Sequence, residues 1–315
     1  MLLANVFTKT VMDRWKGMAI GAVGLGLMLW LGMAAYQDID ISIFTEMPEA
    51  WRALMNIGAD ADATALAYGA IYSSWGTLAI ASLALSMGSA SIAGEERNGT
   101  IGLLLANPRS RVRILAAKAG SLVVLVGAGA LVLWGVGLAI PALIGADVSR
   151  MHVGALAFHI FVVSVFFGFL AMALGAWTGN RTVASGATAG VMVFSFIIVG
   201  ILPLVEGWAG IAKIFPWYYY DASEPVVNGV DWGHLLVLFA GIVVLAGLAV
   251  LGLQRRDLKE RGTAVTLLDR LRANPRTQKI MEKIAGSARV SGITAKTVSD
   301  HQTLTFVVGY LMVFM

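Results

Sequence analysis

The chain of 315 residues contains no cysteine, which excludes disulfide bonds, iron–sulfur clusters and thiolate metal sites. Charged side chains are also scarce. Asp, Glu, Lys and Arg make up 13% of the residues, against about a quarter in soluble domains, and 58% of the residues are hydrophobic. This composition indicates an integral membrane protein.

Acidic and basic side chains are missing from six long apolar runs. The runs cover residues 17–35, 64–93, 119–146, 153–178, 182–205 and 235–253. Each reaches the roughly 17 to 25 residues that an α-helix needs to cross a bilayer. The sequence therefore predicts an all-α integral membrane protein with a six-helix transmembrane domain over residues 17–253.

The common catalytic motifs are missing too. The chain has no Gly-x-x-x-x-Gly-Lys-Ser/Thr phosphate loop, no His-Glu-x-x-His metal motif and no Gly-x-Ser-x-Gly nucleophile elbow. No Asp or Glu lies in a predicted span, and the candidate for an ionisable group on a substrate or proton path is His159. A single histidine there is more commonly a packing residue. We therefore predict no enzyme activity, no metal site and no cofactor in this chain.

Positive charge is distributed unevenly between the segments that connect the runs. If the runs cross a membrane in turn, 20 of the 23 Lys and Arg residues fall on one side, together with both ends of the chain. Lys and Arg are retained on the cytoplasmic side of membranes. We predict a multi-pass plasma membrane protein with both ends in the cytoplasm. Because the cations lie beside helix ends, membrane anchoring accounts for them, and we expect no nucleic-acid partner.

Residues 1–16 precede the first run and have a pattern of their own. Apolar side chains recur at helical spacing, with the charged side chains elsewhere on the helix wheel. The apolar positions are Leu2, Leu3, Val6, Phe7, Val11 and Trp15. This pattern predicts an amphipathic helix that lies in the membrane interface.

The end of the chain repeats features of its start. Residues 254–303 are polar and carry eleven cations, which predicts a cytoplasmic linker. Residues 304–315 are apolar but too short to cross a hydrocarbon core of roughly 30 Å. The sequence KTVSD at 296–300 shares four of its five residues with KTVMD at 9–13. We therefore expect 304–315 to begin a further span, in a tandem duplication of which this chain holds one half.

The connection between the second and third runs is the most informative segment. Residues 94–111 read GEERNGTIGLLLANPRSR. Glu95 and Glu96 lie where a helix N-terminus favours negative charge, and Pro108 ends the helix. The apolar stripe of this short helix needs a surface to bury against, yet its flanking cations exclude the hydrocarbon core. A second polypeptide is one candidate for that surface.

These features resemble the ABC-2-type permease family over residues 1–260. The resemblance rests on six spans, the amphipathic first helix and residues 94–111. Three further segments are similar to actinobacterial members, among which are exporters of polyketide antibiotics. These segments are LQRRDL at 253–258, WYYY at 217–220 and NGVDWGHL at 228–235. The fold that this resemblance implies is a bundle like that of type V ABC exporters.

In that family the stretch between spans 2 and 3 is a coupling helix that docks on a separate ATPase subunit. The resemblance implies such a partner, which binds ATP and Mg²⁺, and a second permease half or internal repeat in the bilayer. The positions carried over are Glu95, Glu96, Gly99, Thr100, Ile101, Leu104, Leu105, Pro108, Arg109 and Arg111. The implied function is efflux of a hydrophobic or amphipathic compound, such as a drug or antibiotic.

Two alternatives use the same topology. A membrane scaffold or regulatory anchor needs six spans but no transport path. A proton-coupled carrier that uses His159 needs no ATPase neighbour. The three interpretations differ in whether an ATPase binds the chain and whether transport depends on it.

The aromatic sequence FPWYYY at 215–220 lies beside the predicted outer membrane surface. It is typical of an interfacial aromatic belt, and the alternative is a lip at a substrate exit.

Small-xxx-small glycine pairs predict places where two spans approach closely. Plain helix packing is the expectation for them, with a dimer contact or a moving gate as the alternatives. The pairs are Gly17 and Gly21, Gly175 and Gly179, and Gly186 and Gly190.

Overall fold

The computed structural model describes residues 6–37, 46–54, 63–100, 110–146 and 148–256. All regular structure in these ranges is helical, and six helices are long and apolar enough to cross a membrane. These six spans are Val6–Ala35, Thr64–Ala90, Arg111–Ile144, Val153–Thr178, Arg181–Leu204 and Trp232–Arg255. The prediction of an all-α bundle with six membrane helices is confirmed. Of the predicted linker 254–303, Gln254 and Arg255 belong to the helix Trp232–Arg255, and the residues beyond 256, like the apolar segment 304–315, lie outside the described residues.

Span 1 is part of one continuous helix, Val6–Gln37. At 1.5 Å per residue its 32 residues extend about 48 Å, well beyond a hydrocarbon core of roughly 30 Å. The described part of the predicted interfacial helix, residues 6–16, therefore continues into the span without a break at Gly17. The charged turns of this helix stand outside the apolar stretch that follows them.

Span 2 changes helix type along its length. An α-helix at Ala63–Ala67 is followed by a π-helix at Tyr68–Gly76 and then by an α-helix at Thr77–Ala90. Two hydroxyl side chains hydrogen-bond carbonyls five residues earlier: Ser74 donates to Gly69 O at 3.2 Å, and Thr77 to Tyr72 O at 3.1 Å. A π-helix is rare and widens the turn, and here the widened turns are buried among the other spans.

Span 4 lies at the centre of the bundle and packs against spans 2, 3, 5 and 6. In its most apolar 18-residue stretch 72% is buried inside the protein, against 22% in span 6. Spans 2 and 4 cross at Gly88 and Gly168, where a Cβ on Gly88 would lie 1.9 Å from Gly168 O. Only glycine permits this approach, so the two most buried spans meet backbone to backbone.

Three of the spans begin with side-chain caps. Ser110 accepts from Arg113 N before span 3, Asn180 from Thr182 N and Val183 N before span 5, and Asp231 from His234 N before span 6. Each cap satisfies backbone donors at a helix start. The capped starts of spans 3 and 5 lie at one end of the bundle, and the capped start of span 6 lies at the other.

We call one end of the bundle the basic end. It comprises residues 6–16, 91–100, 110–118, 178–182 and 253–256, and it carries most of the described cations. The opposite end comprises residues 145–146, 148–152 and 205–231. Its short helices are Ala209–Ile214, Tyr218–Asp221 and Pro225–Asn228.

The aromatic segment at the opposite end does not form a belt as a whole. Trp217 and Tyr220 are each only 1% exposed, and Trp217 packs against Phe167 and Phe196. The belt interpretation is therefore wrong for these two residues, because the connection between spans 5 and 6 folds back into the bundle. The Tyr220 hydroxyl donates to Ser73 O at 2.8 Å and bonds the Thr77 hydroxyl at 2.8 Å.

Candidate functional site

The segment that follows span 2 forms a short helix, Ala93–Arg97, at the basic end. It ends where Gly99 takes a φ of +70°, a backbone conformation that favours glycine, and Thr100 N then bonds Glu95 O at 2.9 Å. We call residues 93–100 the acidic turn. Residues 101–109 lie outside the described residues. The predicted coupling positions among them are Ile101, Leu104, Leu105, Pro108 and Arg109.

Glu95 joins the acidic turn to span 3. Its carboxylate accepts a hydrogen bond from Lys118 Nζ at 2.6 Å and another from the Thr100 hydroxyl. Lys118 is buried, with 7% of its side chain exposed. Burial raises the pKa of the Glu95 carboxyl, but the charge of Lys118 and the two hydrogen bonds outweigh burial, so the net pKa is lowered. Glu95 is therefore ionised at neutral pH and neutralises Lys118.

Glu96 joins the acidic turn to the end of span 6. Its Oε2 lies 2.9 Å from Nη2 of Arg256, and Glu96 is only 2% exposed. Arg256 also donates from Nε to Ala176 O at 3.0 Å, which fixes its guanidinium against span 4. The second Glu96 oxygen, Oε1, is buried and has no hydrogen-bond partner. The ion pair with Arg256 therefore compensates the charge of the buried Glu96 carboxylate.

Gly179 makes the space for this ion pair. It follows the last residue of span 4 with a φ of +60°. A Cβ at this position would lie 1.7 Å from Nη1 of Arg256 and 2.6 Å from Oε2 of Glu96. Any other residue would collide with the pair and would also adopt a strained backbone.

Arg111 adds a further connection at the start of span 3. Its Nη1 donates to Arg256 O at 3.3 Å, and both residues remain accessible to solvent. Spans 3, 4 and 6 are thus all linked to the acidic turn through side chains of charged residues. The turn is attached to the bundle core rather than suspended from span 2 alone.

Both acids of the predicted docking element thus engage their own bundle. Glu96 is buried, so it does not present its carboxylate to a second protein. The residues of the acidic turn with exposed side chains or backbone are Arg97, Asn98 and Gly99. We therefore infer that Glu95 and Glu96 position the acidic turn. Residues 97–99 form the surface that the turn exposes.

A cavity of about 420 Å³ opens beside the acidic turn. It lies between the first turns of span 1, the last turn of span 2 and the starts of spans 3 and 5. Glu95 and Lys118 form part of its wall, as do Lys9 and Arg14 of span 1. The ion pair that attaches the turn therefore faces a space that is large enough for a small molecule.

His159 lies in the central span, far from the basic end. It is fully buried, and its Nδ1 lies 2.9 Å from Ala155 O one turn earlier. Its Nε2 is buried and has no partner. The described residues contain no group of three or more His, Asp or Glu side chains that could hold a metal ion.

The chain matches the description "ABC-2 family transporter protein" across residues 4–258. The match covers all six spans and the acidic turn. The chain belongs to the ABC-2 transporter family. Members of this family are membrane components of transporters that work with an ATP-binding subunit, so the chain is a transport permease with multiple spans. A comparison with curated proteins gives no match.

Sequence reasoning missed three residues that build the attachment of the turn: Lys118, Gly179 and Arg256. From the sequence, Lys118 is only one of the cations that follow residues 94–111, and Gly179 is only a helix-packing position. A signal for Arg256 is present, because the Arg255–Arg256 pair lies one residue beyond the last apolar run, 235–253. Its acidic partner could not be identified from spacing, since 160 residues separate the two.

Proposed function

We propose that this ABC-2 permease exports a hydrophobic or amphipathic compound across the plasma membrane, driven by a separate ABC ATPase. The basic end and both ends of the chain face the cytoplasm, where the ATPase binds. This orientation is supported by the excess of Lys and Arg at the basic end. A second permease half, from another copy or an internal repeat, completes the transporter.

The observation that carries the proposal is the double attachment of the acidic turn. Glu95 links it to span 3 at 2.6 Å, and Glu96 links it to the end of span 6 at 2.9 Å. A force on the exposed surface at Arg97 and Asn98 is therefore passed to two spans besides span 2. This is what coupling between ATPase closure and the transmembrane bundle requires.

The nature of the cargo is supported by the composition of the spans. Central span 4 contains no charged side chain, and its polar side chains include His159, Ser164 and Thr178. A path lined by such residues suits apolar or amphipathic compounds better than ions or polar metabolites. Drugs and antibiotics are the compounds of this class that we propose to test first.

The decisive experiment is co-purification with a candidate ABC ATPase from a neighbouring gene, followed by ATP hydrolysis in lipid nanodiscs. The test variant is Arg97→Glu, which reverses an exposed charge of the acidic turn without removing either ion pair. The matched control is Lys213→Glu, an exposed cation at the opposite end. We expect a stable complex for wild type and control, and a loss of affinity of at least about tenfold for Arg97→Glu.

Two results would contradict the proposal. If the ATPase does not bind wild-type permease, the scaffold interpretation is favoured. If it binds but Arg97→Glu and Lys213→Glu behave alike, docking occurs elsewhere. In either case the ion pairs of the acidic turn would only stabilise the fold.

A proton-coupled carrier is the second candidate, because the buried Nε2 of His159 has no partner. This carrier would transport cargo without the ATPase, and His159→Gln would abolish transport. The ABC proposal expects that His159→Gln retains ATP-dependent transport. Transport into inverted vesicles, with ATP or with an imposed proton gradient, distinguishes the two.

A further inference from the structure

The cavity beside the acidic turn is more than a gap between helices, because one face of span 1 is turned into it. The residues of this face are Val6, Lys9, Thr10, Asp13 and Arg14. Their spacing of three and four residues is that of a single helical stripe. The charged stripe that sequence analysis assigned to the membrane interface therefore lines a defined cavity.

The described lining has an excess of positive charge. It contains four cations, Lys9, Arg14, Lys118 and Arg181, and two acids, Asp13 and Glu95. Lys118 is neutralised by Glu95 at 2.6 Å. Lys9 and Arg14 form no ion pair within 4 Å with another described residue, although the charge of Lys9 is a minor cause of the lowered pKa of Glu95. A space of this kind favours an anionic ligand.

The cavity also lies at a specific depth. Arg14 precedes the uncharged stretch that begins at Gly17 by three residues and Lys9 by eight, which is about 5 Å and about 12 Å along the helix. The headgroup layer of a bilayer extends roughly 5 to 8 Å beyond each side of the hydrocarbon core. These two cations therefore bracket the level of lipid phosphates.

The wall on the membrane side of the cavity is apolar. Met87 and Ala90, in the last turn of span 2, line it and are half-buried. A ligand that fits must combine a negative group near Lys9 and Arg14 with an apolar part beside Met87. A free phosphate or a nucleotide satisfies the first requirement but not the second.

We propose that this cavity binds the phosphate-bearing headgroup of an anionic phospholipid from the leaflet at the basic end. The phosphate lies between Lys9, Arg14 and the start of span 5, and the upper acyl chain lies against the end of span 2. The lipid then contacts the wall that holds the Glu95–Lys118 pair, so a lipid molecule forms part of the support of the acidic turn. Lipid binding at this site requires neither cargo nor the ATPase.

The test is native mass spectrometry of the purified permease, without ATPase, after equilibration with phosphatidylglycerol or phosphatidylcholine. The test variant is Lys9→Gln/Arg14→Gln, and the matched control is Lys16→Gln/Arg113→Gln. The control removes two exposed cations from the same end that do not line the cavity. A third variant, Lys9→Arg/Arg14→Lys, keeps the charge.

We expect wild type to retain phosphatidylglycerol over phosphatidylcholine, and the test variant to bind phosphatidylglycerol at least about tenfold more weakly. The control should change affinity by less than about threefold, and the charge-keeping variant should bind like wild type. An equal loss in test variant and control would overturn the proposal, because it would indicate general surface attraction. Displacement of the lipid by inorganic phosphate at equal concentration would also overturn it, since the apolar part would then contribute nothing.

Discussion

Glu96 and Arg256 form an ion pair of 2.9 Å although 160 residues separate them in the chain. Glu96 belongs to the turn after span 2, whereas Arg256 follows the last residue of span 6. Since Glu96 is almost fully buried, removal of Arg256 leaves a buried carboxylate without compensation. The pair therefore connects the acidic turn to the end of span 6, and its loss would release the turn from that span.

Neutralising one partner of this pair should destabilise the permease. A broken buried pair costs about 3 to 5 kcal/mol, and we expect about 2 kcal/mol for Arg256→Gln because Arg256 is partly exposed. This corresponds to a fall in Tm of about 4 to 8 °C. Glu96→Gln should cost a similar amount, and the double variant less than the sum of the two.

The measurement is thermal unfolding in nanodiscs, followed by tryptophan fluorescence. Arg255→Gln is the control, since it removes the neighbouring exposed cation. Equal Tm values for Arg255→Gln and Arg256→Gln, or additive effects in the double variant, would show that the pair does not stabilise the fold.

Gly179→Ala should break the same connection without changing a charge. The new methyl group would lie 1.7 Å from Nη1 of Arg256, and alanine at a φ of +60° is strained. We expect a loss of about 2 to 4 kcal/mol, from roughly 1 kcal/mol of backbone strain and the displaced ion pair.

Gly186→Ala is the control for this variant, because a Cβ on Gly186 meets nothing within 4 Å. Alanine favours helix over glycine, so this control should be neutral or slightly stabilising. Equal Tm values for Gly179→Ala and Gly186→Ala would show that the end of span 4 shifts to accommodate the methyl group without a loss of stability.

The elements that sequence predicts well are those with local causes. Each apolar run gives a membrane helix because its length and lack of charge suffice. Ser110 and Asn180 mark helix starts for an equally local reason, as caps. The ABC-2 resemblance is confirmed by the family match, but its coupling residues at 101–109 lie outside the described residues and stay a prediction.

What sequence does not predict depends on contacts between distant segments. The small-xxx-small rule selected Gly186 and Gly190, yet both face open space, whereas the close crossing uses Gly88 and Gly168. Spacing within one helix does not say which neighbour its glycines meet. For the same reason the sequence does not identify the cationic partners of Glu95 and Glu96 in spans 3 and 6. Without these partners, it predicts both acids for a docking surface.

Asp221 should give the opposite end a pH dependence. Burial, together with the negative charge of Glu224, raises the pKa of Asp221 from 3.8 to about 7. The folded state therefore binds this proton more tightly than the unfolded state. The contribution of Asp221 is fully stabilising below pH 3.8 and is lost as the pH rises to about 7.

Asp221→Asn removes this titration, so its stability relative to wild type should increase between about pH 4 and about pH 7 and then stay constant. Thermal unfolding across this range measures the difference. Glu224→Gln removes one cause of the shift and should move the transition of the wild-type profile to lower pH. A difference between Asp221→Asn and wild type that does not change with pH would refute the assignment.

Tyr220 connects the loop before span 6 to the π-helix of span 2. Its hydroxyl donates to Ser73 O at 2.8 Å and bonds the Thr77 hydroxyl at 2.8 Å, with the ring buried. Tyr220→Phe removes the donor to Ser73 O and one of the two partners of the Thr77 hydroxyl, which keeps Tyr72 O at 3.1 Å, so we expect a cost of about 1 kcal/mol. Tyr219→Phe is the matched control, because its hydroxyl bonds Lys213 O in an exposed position and should cost less than about 0.5 kcal/mol.

Comparison of unfolding with transport separates two roles for this contact. If the loop only packs on the bundle, Tyr220→Phe lowers Tm and leaves the transport rate per folded molecule unchanged. If the loop must leave the π-helix for cargo to exit, the same variant lowers Tm and raises the rate, because the closed state has lost two hydrogen bonds. A variant with wild-type Tm and wild-type rate would mean that the hydrogen bonds at Ser73 and Thr77 contribute to neither.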